Sequence, residues 1–172
     1  MVLPKGSKQE KAFIRLVVTF ATLVKSSCKA VEKVFKQAKN ANDERSVFII
    51  KNIFQPVYER YISALSHSNQ IDFTDAILQA TEICRTSPPI EYDYIIVDEF
   101  QYISVDHYNF LKVLREGNPP VKLYCVGDDW QSIYRFSGSD MALFNQFSEY
   151  FGAAEVNKIE TTYRLGEPLV SL

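Results

Sequence analysis

The stretch Tyr94–Ser104, YIIVDEFQYIS, sets a four-residue apolar run, Tyr94 to Val97, directly before two adjacent carboxylates, Asp98 and Glu99. A short apolar run of this kind reads as a strand. In open α/β sheets ligands gather outside the carboxyl ends of strands, so an acidic pair at such an end is placed to meet a divalent cation and phosphate. About 25 residues on, a second run, Leu123 to Val126, opens into GDDWQSIYRFSGSD. The residues between them suffice for a crossover helix with Tyr108, Leu111 and Leu114 on its core face. The two runs are therefore expected to be parallel strands, buried on both faces. A helix over 139–151 and a strand near Val156 to Thr161 would complete another βαβ unit.

Upstream the period changes. Phe13, Leu16, Val17, Phe20, Val24, Cys28, Val31, Phe35 and Ala38 recur at three- and four-residue steps, one apolar stripe on a long helix. The polar stretch 40–45 should end it. Phe48, Ile50, Phe54, Val57, Tyr58, Tyr61, Ile62 and Leu65 mark further helix, in which Pro56 should start a new segment or kink the old one. SHSNQ, residues 66–70, reads as a turn, and Asp72 as the cap of a third helix carrying Ala76, Ile77, Ala80 and Ile83. Residues 1–86 thus read as all-helical, and Ser87-Pro88-Pro89 as the boundary with an α/β part over 87–172.

With 47% apolar and 23% charged residues the 172-residue chain has an ordinary globular composition. Cys28, Cys84 and Cys125 are odd in number and in no CxxC pairing, which argues against a disulfide framework or a zinc site and fits a reducing cytoplasm. The apolar run Leu16–Val24 is about half the length that spans a bilayer, so no membrane partner is expected. Residues 1–45 carry ten Lys or Arg against four Asp or Glu, and the remainder nine against seventeen. A basic N-terminal part is compatible with a phosphate-backbone partner, and equally with a solvated lysine face.

Taken together, DEFQ at 98–101, VGDDWQSIYRFSGSD at 126–140 and TTYR at 161–164 resemble motifs II, III and IV of the superfamily 1 UvrD/Rep helicases. The tryptophan in GDDWQ makes the helicase IV branch the nearest match. IDFTDAILQAT, residues 71–81, resembles another block of the family, and the N-terminal part is similar to its inserted 1B helical subdomain. The resemblance implies an α/β fold, a partial RecA-like (P-loop NTPase) parallel sheet carrying an all-helical subdomain. It implies ATP and Mg²⁺ as cofactors and single-stranded or partly duplex DNA as partner. Asp98 would hold Mg²⁺, Glu99 would orient and deprotonate the attacking water, and Gln101 and Gln131 would sense the γ-phosphate. Arg164 would reach that phosphate and Tyr163 would stack on adenine, with Asp128 also on the nucleotide side. Tyr134, Arg135 and Phe136 supply rings and a cation suited to unpaired bases. Two departures stand out. Phe136 and Ser137 replace the usual tryptophan and arginine, and Tyr102 replaces the aspartate that commonly follows DEFQ.

None of the six glycines belongs to a GxxxxGK[ST] loop, and motifs V and VI are absent. The expectation is a piece of an ATP-driven 3′–5′ helicase acting in repair or recombination, inactive in isolation. An incomplete sheet would leave an open edge that invites self-association. Two alternatives are a non-catalytic, helicase-derived binding or regulatory module and a protein-interaction scaffold built on the helical half.

Overall fold

In the computed structural model residues 4–88, 90–131, 138–159 and 161 are described. Helices α1 (Lys8–Ser26), α2 (Val31–Asn40), α3 (Glu44–Ile49), α4 (Gln55–His67) and α5 (Phe73–Thr86) come first. Strand β1 (Tyr94–Val97), α6 (Val105–Gly117), β2 (Lys122–Cys125), α7 (Met141–Asn145) and α8 (Phe147–Phe151) follow, with single 3₁₀ turns at Phe100–Tyr102 and Asp129–Gln131.

The long N-terminal helix is two helices. Its break is a Schellman ending: Cys28 is left-handed (φ 51°), its N–H meets Lys25 O at 2.9 Å, and Lys29 N–H meets Val24 O at 3.4 Å. Ser27 Oγ caps Val24 O as well, at 2.9 Å. The same ending recurs at Asn42 and Asn69, each left-handed, where asparagine tolerates that conformation. Leu16 leaves the expected stripe and is 63% exposed. Between α3 and α4 the backbone widens into a π-helical turn, Ile50–Phe54, with Gln55 N–H reaching Ile50 O. Pro56, which lacks an N–H, sits in the first turn of the α-helix that follows. Ile50 and Phe54 join Ala21, Val24 and Val31 in one core, where the Phe20 ring meets Phe54 edge-on and Tyr58 stacks on it.

Lys25, buried on α1, reaches Asp72 and Asp75 at 2.6 Å each. Those carboxylates form the capping box of α5, and Tyr61 Oη donates to Asp72 at 2.8 Å. One cation therefore joins α1, α4 and α5. Helix α5 in turn lies along α6, and Asn109 of α6 donates to Cys28 Sγ at 3.5 Å.

Strands β1 and β2 are parallel, in the register Tyr94 with Lys122 through Val97 with Cys125. The expectation of burial on both faces is corrected. Ile95, Val97, Leu123 and Cys125 pack on a core of Phe100, Ile103, Leu111, Leu143 and Phe151, whereas Tyr94, Ile96 and Tyr124 are 60–70% exposed. Helices α6, α7 and α8 cover one face, and no described residue covers the other. The helix expected over 139–151 is two short helices that break at Gln146 (φ −108°, ψ 36°). No strand forms over 156–159 or at 161, and residue 160 of the expected strand lies outside the described residues; Val156 and Ile159, 74% and 84% exposed, have neither burial nor, among the described residues, a pairing strand to order them. Among the described residues no helix is long and apolar enough to cross a membrane.

Candidate active site

The site sits where β1 and β2 end. Val126 N–H donates to Val97 O at 2.9 Å and Phe100 N–H to Val126 O at 2.8 Å, extending the ladder past both strands and bringing the loops 98–102 and 126–131 side by side. Phe100, 2% exposed, anchors the first loop with its ring against Phe144, Phe147 and Phe151. Asp98 and Glu99 consequently stand in solvent at the rim of a rigid core.

Glu99 adopts the left-handed conformation (φ 54°, ψ 39°), which costs a non-glycine residue about 1–2 kcal/mol. Such strain clusters where a side chain must be aimed. The surroundings hold it: Glu99 N–H donates to Asp98 Oδ1 at 2.9 Å, and Gln101 Nε2 donates to Glu99 Oε2 at 2.5 Å. Gln101 is 1% exposed, and its Oε1 accepts Asp128 N–H at 3.0 Å. The two contacts fix the amide orientation, because a carboxylate needs the NH₂ end and an N–H needs the carbonyl end. Asp128 passes the chain on. Its Oδ1 accepts Trp130 N–H at 3.1 Å and its Oδ2 accepts Gln131 Nε2 at 2.8 Å. A continuous relay thus runs from Glu99 through Gln101 and Asp128 to Gln131.

Gly127 makes this approach feasible. A Cβ there would lie 2.7 Å from Gln101 Oε1 and 2.8 Å from Phe144 Cε2. A glycine just past a strand signals such a backbone approach, and VGDD carries that cue in the sequence. The left-handed Glu99 has no comparable signal in the sequence. Beneath the site, burial pushes the Cys125 thiol up to about 12, so it stays neutral and serves as packing.

Five of the ten residues singled out in the sequence come together here: Asp98, Glu99, Gln101, Asp128 and Gln131. Tyr134, Arg135, Phe136, Tyr163 and Arg164 lie outside the described residues. Among the described residues no group of three or more His, Cys, Asp or Glu could cage a metal. The carboxylates Asp98 and Glu99 at the strand end are a donor pair of the kind that suits Mg²⁺, which takes one or two carboxylates and completes its shell with substrate phosphates and water, and Asp98 keeps Oδ2 free of the bond to Glu99 N–H. Two large rings stand in solvent, Trp130 at 91% and Phe73, at the start of α5, at 94%. Neither contributes to a core.

Residues 5–152 match the family described as the UvrD/REP helicase N-terminal domain. The chain is 42% identical to DNA helicase IV of Escherichia coli over 113 residues, 65% of this chain and 16% of that protein. It is 30% identical to DNA helicase II of the same organism over 128 residues, 71% of this chain and 18% of that protein. With the ATP-dependent DNA helicase srs2 of Schizosaccharomyces pombe it shares 32% identity over 118 residues, 67% of this chain and 13% of that protein. It therefore spans less than a fifth of the length of each of these relatives. With its strand-end carboxylates and the paired loops that follow them, the chain belongs to the UvrD/REP helicase family, in the N-terminal domain of that family.

Proposed function

We propose that this chain forms part of the motor of an ATP-dependent DNA helicase that tracks along single-stranded DNA in the 3′–5′ direction, in the cytoplasm, in repair or recombination. The observation that carries the reading is the relay Glu99–Gln101–Asp128–Gln131, which ties the acidic strand end to the loop leading into Tyr134, Arg135 and Phe136. Asp98 would hold Mg²⁺, whose charge offsets that developing on the transferred phosphoryl group. Glu99 orients the attacking water and takes its proton, and the Gln101 amide fixes the carboxylate that does so. Gln131 reports the γ-phosphate through Asp128, Arg164 binds that phosphate, and Tyr163 stacks on adenine. The rings of Tyr134 and Phe136, the Arg135 cation and the exposed Phe73 ring offer stacking surfaces for unpaired bases.

In this reading residues 1–86 form a helical subdomain and 87–172 part of a RecA-like core. The chain alone hydrolyses no ATP, because it contains no GxxxxGK[ST] loop to cradle the phosphates. The exposed face of Tyr94, Ile96 and Tyr124, beside strand edges that no described residue pairs, favours self-association of the isolated chain. Turnover by a version extended through a P-loop and a second RecA-like domain, and its loss on Glu99→Gln, tests the reading.

A further inference from the structure

We propose that Tyr102 is a positioning residue, whose hydroxyl fastens the loop after β1 to the exit of the loop after β2, at the root of the DNA-contacting segment. The inference rests on the helicase reading given above.

Tyr102 closes the 3₁₀ turn that carries buried Gln101, and its Oη donates to the main-chain oxygen of Gln131 at 3.2 Å, across 29 residues of sequence. Gln131 is the last residue of the second 3₁₀ turn, and Tyr134, Arg135 and Phe136 follow within five residues. Among the described residues the turn's other bonds, apart from Asp128 N–H to Gln101 Oε1, close it on itself. Gln131 N–H meets Asp128 O at 3.1 Å, and the Asp128 carboxylate takes up Trp130 N–H and Gln131 Nε2.

Beyond Phe100 N–H to Val126 O at the base of both loops, two bonds tie the second turn to the first loop. Asp128 N–H to Gln101 Oε1 holds the entry of the second turn, and Tyr102 Oη to Gln131 O holds its exit. A turn fixed at one end pivots; a turn fixed at both ends follows the loop that holds it. Phe100 and Ile103, 2% and 5% exposed, root that loop in the core on either side of Gln101 and Tyr102. A displacement of Glu99 and Gln101 by the nucleotide is thus carried to Gln131. The residue type matters. An ionised aspartate, which the family pattern carries here, has only acceptor oxygens and cannot donate to a carbonyl. A phenol is a donor long enough to span the gap, so the departure at Tyr102 supplies a second crossing that an acid could not make.

Trp130 is the sole tryptophan of the chain and is 91% exposed on the turn in question, so its time-resolved anisotropy reports how firmly the turn is held. Tyr102→Phe keeps the ring and deletes the hydroxyl; Tyr102→Asp restores the family residue. The 172-residue chain and both variants are compared with oligo-dT by filter binding, at a temperature where circular dichroism shows all three folded. The expected result is a larger nanosecond amplitude for Trp130 in both variants, with affinity for oligo-dT weaker by about threefold to tenfold, the range of one hydrogen bond. Unchanged Trp130 motion in both variants would overturn the proposal, as would greater motion with undiminished affinity. A wild-type chain that does not bind oligo-dT would contradict the DNA reading itself, and the anisotropy would separately show whether the hydroxyl holds the turn.

Discussion

Gln101 holds Glu99 in place from below: its amide nitrogen lies 2.5 Å from Glu99 Oε2 while its carbonyl oxygen receives Asp128 N–H at 3.0 Å. The amide is 1% exposed, so water cannot replace either partner. Gln101→Leu should cost about 1–3 kcal/mol of stability by stranding the Asp128 N–H. Gly127→Ala drives a methyl against the same amide and the Phe144 ring and should cost a similar amount, about 1–3 kcal/mol, through overpacking. Urea midpoints of the two variants measure this. Losses under about 0.5 kcal/mol, the range of ordinary surface changes, would contradict the packing described.

The Lys25 node predicts stability against pH. Burial pulls Lys25 down, but hydrogen bonds and charge from Asp72 and Asp75 outweigh it, so it titrates above its ordinary value. Burial pushes Asp72 up, but the bonds from Lys25, Asp75 N–H and Tyr61 outweigh that, so it titrates below its ordinary value. The Asp72 contribution is whole above 3.8 and is lost as pH falls through the lower folded value. The Lys25 contribution is whole below 10.5 and is lost as pH climbs through the higher folded value. Urea midpoints should therefore form a plateau between an acid and an alkaline limb. Lys25→Met should abolish the Lys25 share of the alkaline limb and cost about 3 kcal/mol at neutral pH, the low end for breaking a buried pair, because both carboxylates keep about a quarter of their exposure. Part of the acid limb should persist through Asp106, also held below its ordinary range: burial raises it, and bonds from His107 and Ser104 outweigh burial. An alkaline limb of unchanged depth in Lys25→Met would contradict this account.

At Cys28 the chain accepts left-handed backbone without glycine. Cys28→Gly removes a penalty of about 1–2 kcal/mol and adds about 0.5–1 kcal/mol of chain entropy to the unfolded state. The net expectation is a gain of roughly 0.5–1 kcal/mol, seen as a higher urea midpoint. A lower midpoint would show that the Asn109 contact to Sγ outweighs backbone relief.

The break at Cys28 is hidden by the spacing of the sequence around it. The asparagines at 42 and 69 fall in polar stretches that read as turns, but Cys28 continues the apolar spacing of α1 into α2, so periodicity alone bridges the gap. Pro56 and Asp72 announced their helix starts because a missing N–H and a capping carboxylate act locally. The strand-end carboxylates were legible for the same reason: an apolar run followed by acids is a local pattern. Exposure of Tyr94, Ile96 and Tyr124 was not, because burial of a strand face depends on what else is packed there. The Gln101–Asp128 bond joins residues 27 apart and follows only from the parallel register.

The lysines of α2 test the DNA reading by charge. Lys33, Lys36 and Lys39 are all exposed, opposite the apolar side formed by Val31, Val34, Phe35 and Ala38. If they meet phosphates, Lys33→Gln with Lys36→Gln should flatten the log–log salt dependence of oligo-dT binding by up to about 1.4, at roughly 0.7 per phosphate on single strands. An unaltered slope would make that face merely solvated.

The most direct test of the motor reading is ATP hydrolysis, with and without single-stranded DNA, by this chain and by a version extended through a P-loop and a second RecA-like domain. The account predicts DNA-stimulated turnover in the extended protein alone, abolished by Glu99→Gln while ATP still binds. Equal turnover in the Glu99→Gln variant, or none in either protein, would contradict it and leave a non-catalytic binding module as the better description.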